Sequence, residues 1–296
     1  MQNKFLSISS TLVVAAVLMS CASKSTLAPL PDLPTAGAPK NPRAELILDP
    51  SEYTELIWSD EFNTSTLDRN KWTPQLGNGC DINLCGWGNN EKQSYTDNEK
   101  NLKVSGGNLV ITALQEPTAG MAYSSARIRS KNKGDWEYGK IDIRARLPKG
   151  QGIWPAIWML PTDEVFGTWP KSGEIDIMEL RGQIPNTVLG TVHYGPDWPN
   201  NKYKGGEYIK PSGDFSDDFH VFSVIKSKDR IRWYVDGNLF YSISPMDIAP
   251  ENYPFNKYFH MILNVAVGGN FLGDPNSTTV FPQQMLIDYV RVYHPK

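Results

Sequence analysis

The chain of 296 residues contains few of the residues that mark several common protein classes. Only three cysteines and four histidines are present, and they do not have the spacing of a zinc site. The 29 Lys and Arg residues nearly balance the 32 Asp and Glu residues, so the net charge of −3 indicates no basic surface for nucleic acid. No helical periodicity continues beyond about 12 residues, which excludes a coiled coil.

Motifs for cofactors are also missing from the sequence. There is no Walker loop and no Ser-His-Asp order, so phosphoryl transfer and redox chemistry have no basis here, and we expect no cofactor in catalysis. By contrast, 9 Trp, 13 Tyr and 11 Phe accompany 24 Gly and 22 Pro. This composition favours strands and turns over helix bundles.

The N-terminus has the three regions of a signal peptide. Lys4 precedes an apolar run from Phe5 to Met19, and the small residue Ser20 follows it. The apolar run is too short to span a bilayer comfortably. We predict that residues 1–20 direct export.

Cys21 completes a second motif at the same place. Leu18-Met19-Ser20-Cys21 resembles a bacterial lipobox, whose cysteine becomes lipidated. Ala22 follows where lipoproteins retained in the inner membrane carry Asp, so the resemblance implies the outer membrane of a Gram-negative bacterium. We predict membrane attachment through lipid on Cys21. An ordinary signal peptide with an incidental cysteine is the alternative.

Residues 21–44 have the composition of a spacer. Aromatic residues are scarce, and five prolines occur in this segment: Pro29, Pro31, Pro34, Pro39 and Pro42. Proline-rich segments of this kind are semi-extended. We predict a lipidated tether over 21–44 and one folded domain over 45–296.

Cys80 and Cys85 are the cysteines that remain after Cys21. An exported protein permits a disulfide between them. A metal site would need two further ligands and finds no adjacent His or Cys. We therefore predict a short disulfide loop on a surface excursion.

The folded domain contains twelve short β-like runs bounded by turn residues. Asp236-Gly237 separates two of them and predicts a tight hairpin turn. Such runs at this spacing indicate an all-β sandwich or barrel. The runs are 56–58, 109–112, 125–130, 139–147, 154–160, 174–180, 188–194, 220–226, 230–235, 238–243, 260–267 and 285–293.

Three acids in one of these runs indicate a catalytic site. Side chains alternate along a strand, so Glu174 and Asp176 share a face while Glu179 would lie on the other. One extra residue in a bulge, for which we choose Met178, would return Glu179 to their face. Two such carboxyls suit glycoside hydrolysis, and a close pair favours retention of configuration. The alternative is a Ca²⁺ site or a merely acidic strand.

Glu174-Ile-Asp-Ile-Met-Glu179 resembles the signature of glycoside hydrolase family 16, in the bulged form of the laminarinases. The resemblance implies a β-jelly-roll of two antiparallel sheets with a concave sugar cleft. It also implies Glu174 as nucleophile, Glu179 as general acid/base and Asp176 as their partner. Further segments resemble motifs of this family and occur in the family's order along the chain, at 58–62, 87–91, 123–128, 152–160, 234–237, 263–269 and 288–293.

The resemblance also implies residues that bind the sugar. Trp154 and Trp158 lie four apart on one strand face, where aromatic rings can stack on pyranose rings; the alternative for either is a place in the core. For Arg127 the alternative is a surface ion pair, and His220 and His260 have the character of structural residues. The implied substrate-binding residues are Asn89, Arg127, Trp154, Trp158, Trp169, His193 and Asn264.

A structural Ca²⁺ is a further implication of the resemblance. Its ligands would be Glu61, Gly107 and Asp288, of which the first and third are acidic and the second can offer a carbonyl. We expect this metal to stabilise the fold and to take no part in catalysis.

The sequence therefore predicts an endo-acting, retaining hydrolase of β-1,3-glucan of the laminarin type, acting as a monomer. A non-catalytic glucan-binding lectin is one alternative, although a lectin would be expected to have a broken acid row. A family 16 enzyme for mixed-linkage β-1,3-1,4-glucan or another polysaccharide, or a transglycosylase, is the other. Trp87-Gly-Asn-Asn-Glu91 is laminarinase-like and argues against galactans.

Overall fold

The computed structural model describes residues 48–296. The predicted signal peptide over 1–20, the predicted lipidation of Cys21 and the whole predicted tether over 21–44 lie outside the described residues and stay predictions. From residue 48 onward, no helix is long and apolar enough to cross a membrane. Helical structure in this part consists of single turns: three 3-10 turns, Pro50–Glu52, Cys80–Ile82 and Cys85–Gly88, and α1 (Pro245–Ile248).

Strands form most of the regular structure. In chain order they are β1 (Tyr53–Asp60), β2 (Thr73–Gln75), β3 (Gln93–Tyr95), β4 (Leu102–Ser105), β5 (Asn108–Ala113), β6 (Tyr123–Ser125), β7 (Arg127–Arg129), β8 (Asp135–Trp136), β9 (Gly139–Arg146), β10 (Ile153–Pro161), β11 (Glu174–Leu180), β12 (Thr187–Tyr194), β13 (Lys202–Ile209), β14 (His220–Ser227), β15 (Arg230–Val235), β16 (Asn238–Ile243), β17 (Phe259–Val267) and β18 (Gln283–Pro295).

Two antiparallel sheets of eight strands pack together. Sheet A has the order β16-β15-β14-β9-β18-β5-β4, and β1 also pairs with β18. Sheet B has the order β13-β12-β11-β10-β17-β7-β2, and β8 also pairs with β17. The short strands β3 and β6 form a separate parallel pair. The predicted class, an all-β jelly-roll sandwich of two antiparallel sheets, is confirmed.

Alternation along the strands places the core between the sheets. In β9, Ile141, Ile143 and Ala145 are buried, while the charged residues between them point to the other face. In sheet B, β17 sends Met261, Leu263 and Val265 into the same core. One face of sheet B is thereby left for polar residues.

Every predicted run overlaps a strand of the structure, and the tight turn is present as Asp236 and Gly237, both with positive φ. The prediction missed two kinds of strand. β2, β3, β4 and β8 are only two to four residues long, too short to show a period. β13 lies at the edge of sheet B, contains Gly205 and Gly206, and is largely exposed.

Candidate active site

The three acids of β11 share one face of sheet B, which we call the carboxylate face. Asp176 is 3% exposed, and Glu174 and Glu179 are partly exposed. The intervening residues Ile175 and Ile177 point into the core on the opposite face. The strand therefore separates its apolar and acidic residues completely.

A bulge in β11 makes this arrangement possible. Against β12, Asp176 pairs with Thr191 and Glu179 pairs with Leu189, so Ile177 and Met178 together face a single residue. Against β10, Met178 keeps a partner and Ile177 has none. The predicted bulge is present, but the choice of Met178 as its extra residue was wrong. Both residues are apolar and buried, so the sequence does not show which of them loses its partner.

Trp233 of sheet A holds the bulge from beneath. Its indole Nε1 donates a hydrogen bond of 2.8 Å to the backbone oxygen of Asp176. Gly190 is the β12 residue opposite the bulge, and a Cβ there would lie 2.5 Å from the Trp233 ring. A residue without a side chain is therefore required for the indole to reach the bulge.

Each outer acid receives one indole hydrogen bond. Trp169 Nε1 donates to Glu174 Oε2 at 2.8 Å, and Trp154 Nε1 donates to Glu179 Oε1 at 3.0 Å. His193 pairs with Glu174 across β11 and β12, and its Nε2 lies 3.4 Å from Asp176 Oδ2 and 3.7 Å from Glu174 Oε1. The imidazole thus lies over the first two acids.

Burial and mutual repulsion raise the proton affinity of both glutamates. Burial, followed by the charge of Asp176, raises the pKa of Glu174 to about 7 and the pKa of Glu179 to about 8. Burial alone would lower the pKa of His193, but Asp176 and the charges of Glu174 and Glu179 raise it to about 10. Both glutamates therefore hold a proton to higher pH than a free carboxyl does, and the acids in turn favour the charged form of His193.

Trp154 was predicted to offer an open ring surface to the sugar, but the structure buries its ring. It is 9% exposed and packs against Ala266, Leu272 and Phe271, with its N–H on Glu179. The structure thus gives its indole a role at the acid that the sequence did not show. Trp169 is 40% exposed and keeps ring surface open beside Glu174.

Arg127 lies between two aromatic rings on the carboxylate face. Its guanidinium is 4.3 Å from the ring centroid of Trp87 and 4.7 Å from that of Trp158. Its Nε donates to Gln75 Oε1 at 2.7 Å. Arg127 is buried, and no carboxylate of residues 48–296 lies within ion-pair distance of it, so this part of the chain shows no surface ion pair at Arg127.

A chain of buried hydrogen bonds joins Trp158 to residues that the sequence analysis did not assign. Trp158 Nε1 donates to Asn264 Oδ1 at 2.7 Å, and Asn264 Nδ2 donates to the Tyr95 hydroxyl at 3.1 Å. Tyr95 donates in turn to Glu91 Oε2 at 3.2 Å. In the sequence, only the alternation of Glu91, Gln93 and Tyr95 could have indicated this chain, since alternate residues of a strand share a face.

Asn89 belongs to the same region. It is exposed, and its side chain is one of the groups that lower the pKa of Glu91 by hydrogen bonding, in opposition to burial. Its backbone oxygen accepts from Asn270 N at 2.8 Å. The structure therefore brings Asn89, Arg127 and Asn264 toward one buried carboxyl.

The predicted Ca²⁺ ligands come together but are already paired. Asp60 pairs with Val290 and Leu109 with Ile287, which gathers Glu61, Gly107 and Asp288 at one end of sheet A.

Both carboxylates of that group bind arginine. Glu61 makes two hydrogen bonds to Arg291, at 3.0 and 2.7 Å, and Asp288 makes one to Arg144 at 2.6 Å. A cation would have to compete with two guanidinium groups, so these side chains do not fit the predicted site as they stand.

A different group could hold a metal ion on the carboxylate face. Glu174, Asp176 and His193 each place one ligand atom within 4.8 Å of the others. These are the oxygens that the acid row itself uses, and we assign no metal to them.

The two disulfide cysteines and the two histidines predicted to be structural complete the residues named from the sequence. Cys80 and Cys85, the first residues of two consecutive 3-10 turns, form a disulfide. His220 Nδ1 lies 2.7 Å from Asp236 Oδ2 on a hairpin of sheet A. Burial lowers the pKa of His260 to about 3, so this imidazole is neutral.

Known proteins resemble this chain in sequence. A glucan endo-1,3-β-glucosidase A1 of Niallia circulans is 47% identical over 256 residues, which cover 80% of this chain and 37% of that protein. The chain thus spans well under half the length of that relative. A β-glucanase of Rhodothermus marinus is 43% identical over 259 residues, covering 83% of this chain and 87% of its own.

Solved structures and a family profile agree with these relatives. The catalytic domain of an endo-1,3-β-glucanase (laminarinase) from Thermotoga petrophila has a TM-score of 0.78 and 45% identity, covering 82% of this chain and 98% of that one. The sequence profile of "Glycosyl hydrolases family 16" matches residues 88–291, a range that includes the whole acid row. The chain therefore belongs to glycosyl hydrolase family 16.

Proposed function

We propose that the protein is an endo-acting, retaining hydrolase of β-1,3-glucan. The observation that carries the proposal is the intact acid row, in which two carboxyls lie on one face, each has its own indole donor, and mutual repulsion favours the ionisation of only one of them at a time. A glycoside hydrolase needs one ionised and one protonated carboxyl at the same time.

In the first step Glu174 attacks the anomeric carbon. Its carboxylate oxygen forms the new bond while the bond to the leaving oxygen breaks, and Glu179 gives its proton to that oxygen. The Trp169 N–H holds one oxygen of Glu174, so the other oxygen is directed to the sugar. Asp176 and His193 stabilise the change of charge in the row.

In the second step water releases the sugar. The ionised Glu179 takes a proton from the water, whose oxygen attacks the anomeric carbon as the ester to Glu174 breaks. Two inversions at one carbon give net retention. The proton returns to Glu179, so the acid row is restored without a cofactor.

The choice of β-1,3-glucan is supported by the relatives. The Niallia protein is named for endo-1,3-β cleavage and the Thermotoga protein is named a laminarinase. Arg127 and Asn264 on the carboxylate face and the exposed Asn89 beside Glu91 offer hydrogen-bonding groups, and Trp158 and Trp169 offer ring surface.

A product profile tests the proposal. We expect laminarin to yield a series of oligosaccharides early in the reaction, with much slower release from lichenan and none from agarose or cellulose. Release of glucose alone from laminarin would contradict an endo mode. A faster reaction on lichenan would favour the mixed-linkage alternative, and binding without hydrolysis would favour the lectin.

The pH profile should report the two glutamates. We expect kcat/KM to form a bell with an acid limb near the lower and a basic limb near the higher of the coupled pKa values, about 7 and about 8. Replacing Asp176 by Asn removes a charge that raises both pKa values, so both limbs should move to lower pH.

Trp154→Phe provides the matched comparison for the pH profile. The Trp154 hydrogen bond lowers the pKa of Glu179, so its loss should move the basic limb to higher pH, opposite to the Asp176→Asn shift. Profiles of the three proteins on one soluble oligosaccharide decide the matter. Basic limbs that shift in the same direction would contradict this assignment of the acid.

Membrane attachment through Cys21 is a proposal of its own. We expect Cys21→Ala to prevent palmitate labelling and to remove the mature protein from the outer-membrane fraction, because two acyl signals are needed for stable anchoring. Wild-type protein that takes up no palmitate in cells would contradict it.

A structural Ca²⁺ also stays a proposal. Since the carboxylates of Glu61 and Asp288 bind arginine, its ligands would include backbone carbonyl oxygens, which suit this ion. We expect added Ca²⁺ to raise the Tm by several degrees over protein in EDTA, with Mg²⁺ as control. An equal Tm in all three solutions would contradict the site.

A further inference from the structure

Glu91 is a buried carboxyl to which the proposed mechanism gives no step. It is 5% exposed, and its Oε2 accepts hydrogen bonds from Gln93 Nε2 at 2.6 Å and from the Tyr95 hydroxyl at 3.2 Å. Burial raises the pKa of Glu91, and the charge of Arg127 is the strongest of the opposing influences. Donors and a nearby counter-charge are what a buried carboxylate requires.

The hydrogen bonds that lead away from Glu91 have a fixed direction. An indole N–H can only donate, so Asn264 must present Oδ1 to Trp158, at 2.7 Å. Its Nδ2 is then left to donate to the Tyr95 hydroxyl. Because the hydroxyl has one hydrogen, that hydrogen points to Glu91 Oε2. The Glu91 carboxyl ends the chain, and its Oε2 accepts from both Tyr95 and Gln93.

The other end of this chain reaches the acid row. Trp158 pairs with Asp176 across β10 and β11, and Asn264 pairs with Arg127 across β17 and β7. The guanidinium of Arg127 stacks on the Trp158 ring. The orientations of Trp158, Asn264 and Arg127 on the carboxylate face therefore depend on the Glu91 carboxyl.

Gln93 ties Glu91 to the scaffold. While its Nε2 donates to Glu91, its Oε1 accepts from the backbone N of Val267 at 2.8 Å, at the end of β17. The carboxyl is thus fixed relative to the strand that carries Asn264.

We propose that Glu91 is a positioning residue for glucan binding. Its carboxylate fixes Tyr95 as a donor and so holds the Asn264 amide and the Trp158 indole, while its charge holds Arg127 in the stack. Glu91 acts through these groups and does not itself touch the sugar. The inference rests on the proposed function, since it takes Arg127, Asn264 and Trp158 as sugar-binding residues.

Two substitutions separate this role from general packing. Tyr95→Phe keeps the ring and removes the hydroxyl, and Glu91→Gln keeps the size and removes the charge. We expect each to raise KM by about tenfold, the factor that corresponds to one lost hydrogen bond to a charged group. The value of kcat should change much less, because the acid row is untouched.

Asp60→Asn is the matched control. Asp60 is also a buried carboxyl that accepts an indole hydrogen bond, from Trp72 at 2.8 Å, but it lies on β1 of sheet A. We expect this variant to lower the Tm and leave KM unchanged. If Glu91→Gln does not fold, Tyr95→Phe decides the question.

The kinetics are measured on the glucan that the wild type cleaves best. An unchanged KM in a folded Tyr95→Phe protein, or an equal rise in Asp60→Asn, would overturn the role of Glu91 and leave the proposed function standing. A wild type that cleaves no β-glucan would overturn both.

Discussion

Replacing Glu174 by Ala should lower kcat by about 10⁴-fold or more, the scale seen when a nucleophile is removed. Asp176 and Glu179 are the other acids of the row, and neither can take its place, because Asp176 is buried beneath His193 and Glu179 lies beyond the bulge. Glu179→Ala should lower kcat by about 10²–10⁴-fold on glucan, the contribution of a general acid.

Azide distinguishes the two roles by stereochemistry. In Glu174→Ala, azide can occupy the space of the lost carboxylate and attack from the nucleophile's side, which gives an α-glycosyl azide. In Glu179→Ala, an aryl glycoside with a good leaving group still forms the ester on Glu174, and azide then attacks from the opposite side to give the β-azide. A β-azide from Glu174→Ala and an α-azide from Glu179→Ala would show that Glu179 is the nucleophile and Glu174 the general acid.

Gly190→Ala should also have a large effect, although a side chain at residue 190 would point to Trp233 in the core and not to the carboxylate face. Its Cβ would lie 2.5 Å from the buried indole of Trp233, which holds the backbone oxygen of Asp176. Such overpacking costs about 1–3 kcal/mol of the free energy of unfolding. Because the bulge places Glu179 on the carboxylate face, we also expect kcat to fall by about 10²-fold.

Gly134→Ala is the control for this effect. A Cβ at Gly134 would lie 2.8 Å from the ring of Trp136, so it also overpacks the structure, but Trp136 lies on β8 and packs against Trp58 of β1 and not against Trp233. Thermal melts and kcat are measured on both variants. A Gly190→Ala protein with a lowered Tm and wild-type kcat would show that catalysis does not depend on the support from Trp233.

The sequence predicts the acid row because a regular strand would put Glu179 on the face opposite Glu174 and Asp176, whereas catalysis requires the acids on one face. Glu174, Asp176 and Glu179 can share a face only if one residue is added, so the need for a bulge is visible in the spacing. Which residue loses its partner is not visible, since Ile177 and Met178 are both apolar and both buried. Gly190 and Trp233, which contact the bulge, come from other strands, so no local pattern shows them beside it.

The other contacts that the sequence did not predict join residues far apart along the chain. Asn264 and Tyr95 are 169 residues apart along the chain, and no local pattern couples them. Spacing places Trp154 and Trp158 on one face, but it does not say that one indole N–H meets Glu179 and the other Asn264. Strong alternation, as in β9, was sufficient for the long strands, whereas the exposed, glycine-containing β13 shows none.

Capture of the glycosyl-enzyme tests the double displacement most directly. A 2-deoxy-2-fluoro β-laminaribioside with a good leaving group slows both steps, so the ester on the nucleophile should accumulate and can be located by mass spectrometry of peptides. We predict one added disaccharide per protein, on the peptide that contains Glu174 and at Glu174 within it. A disaccharide on Glu179, or full hydrolysis with no captured ester, would contradict the assignment of Glu174.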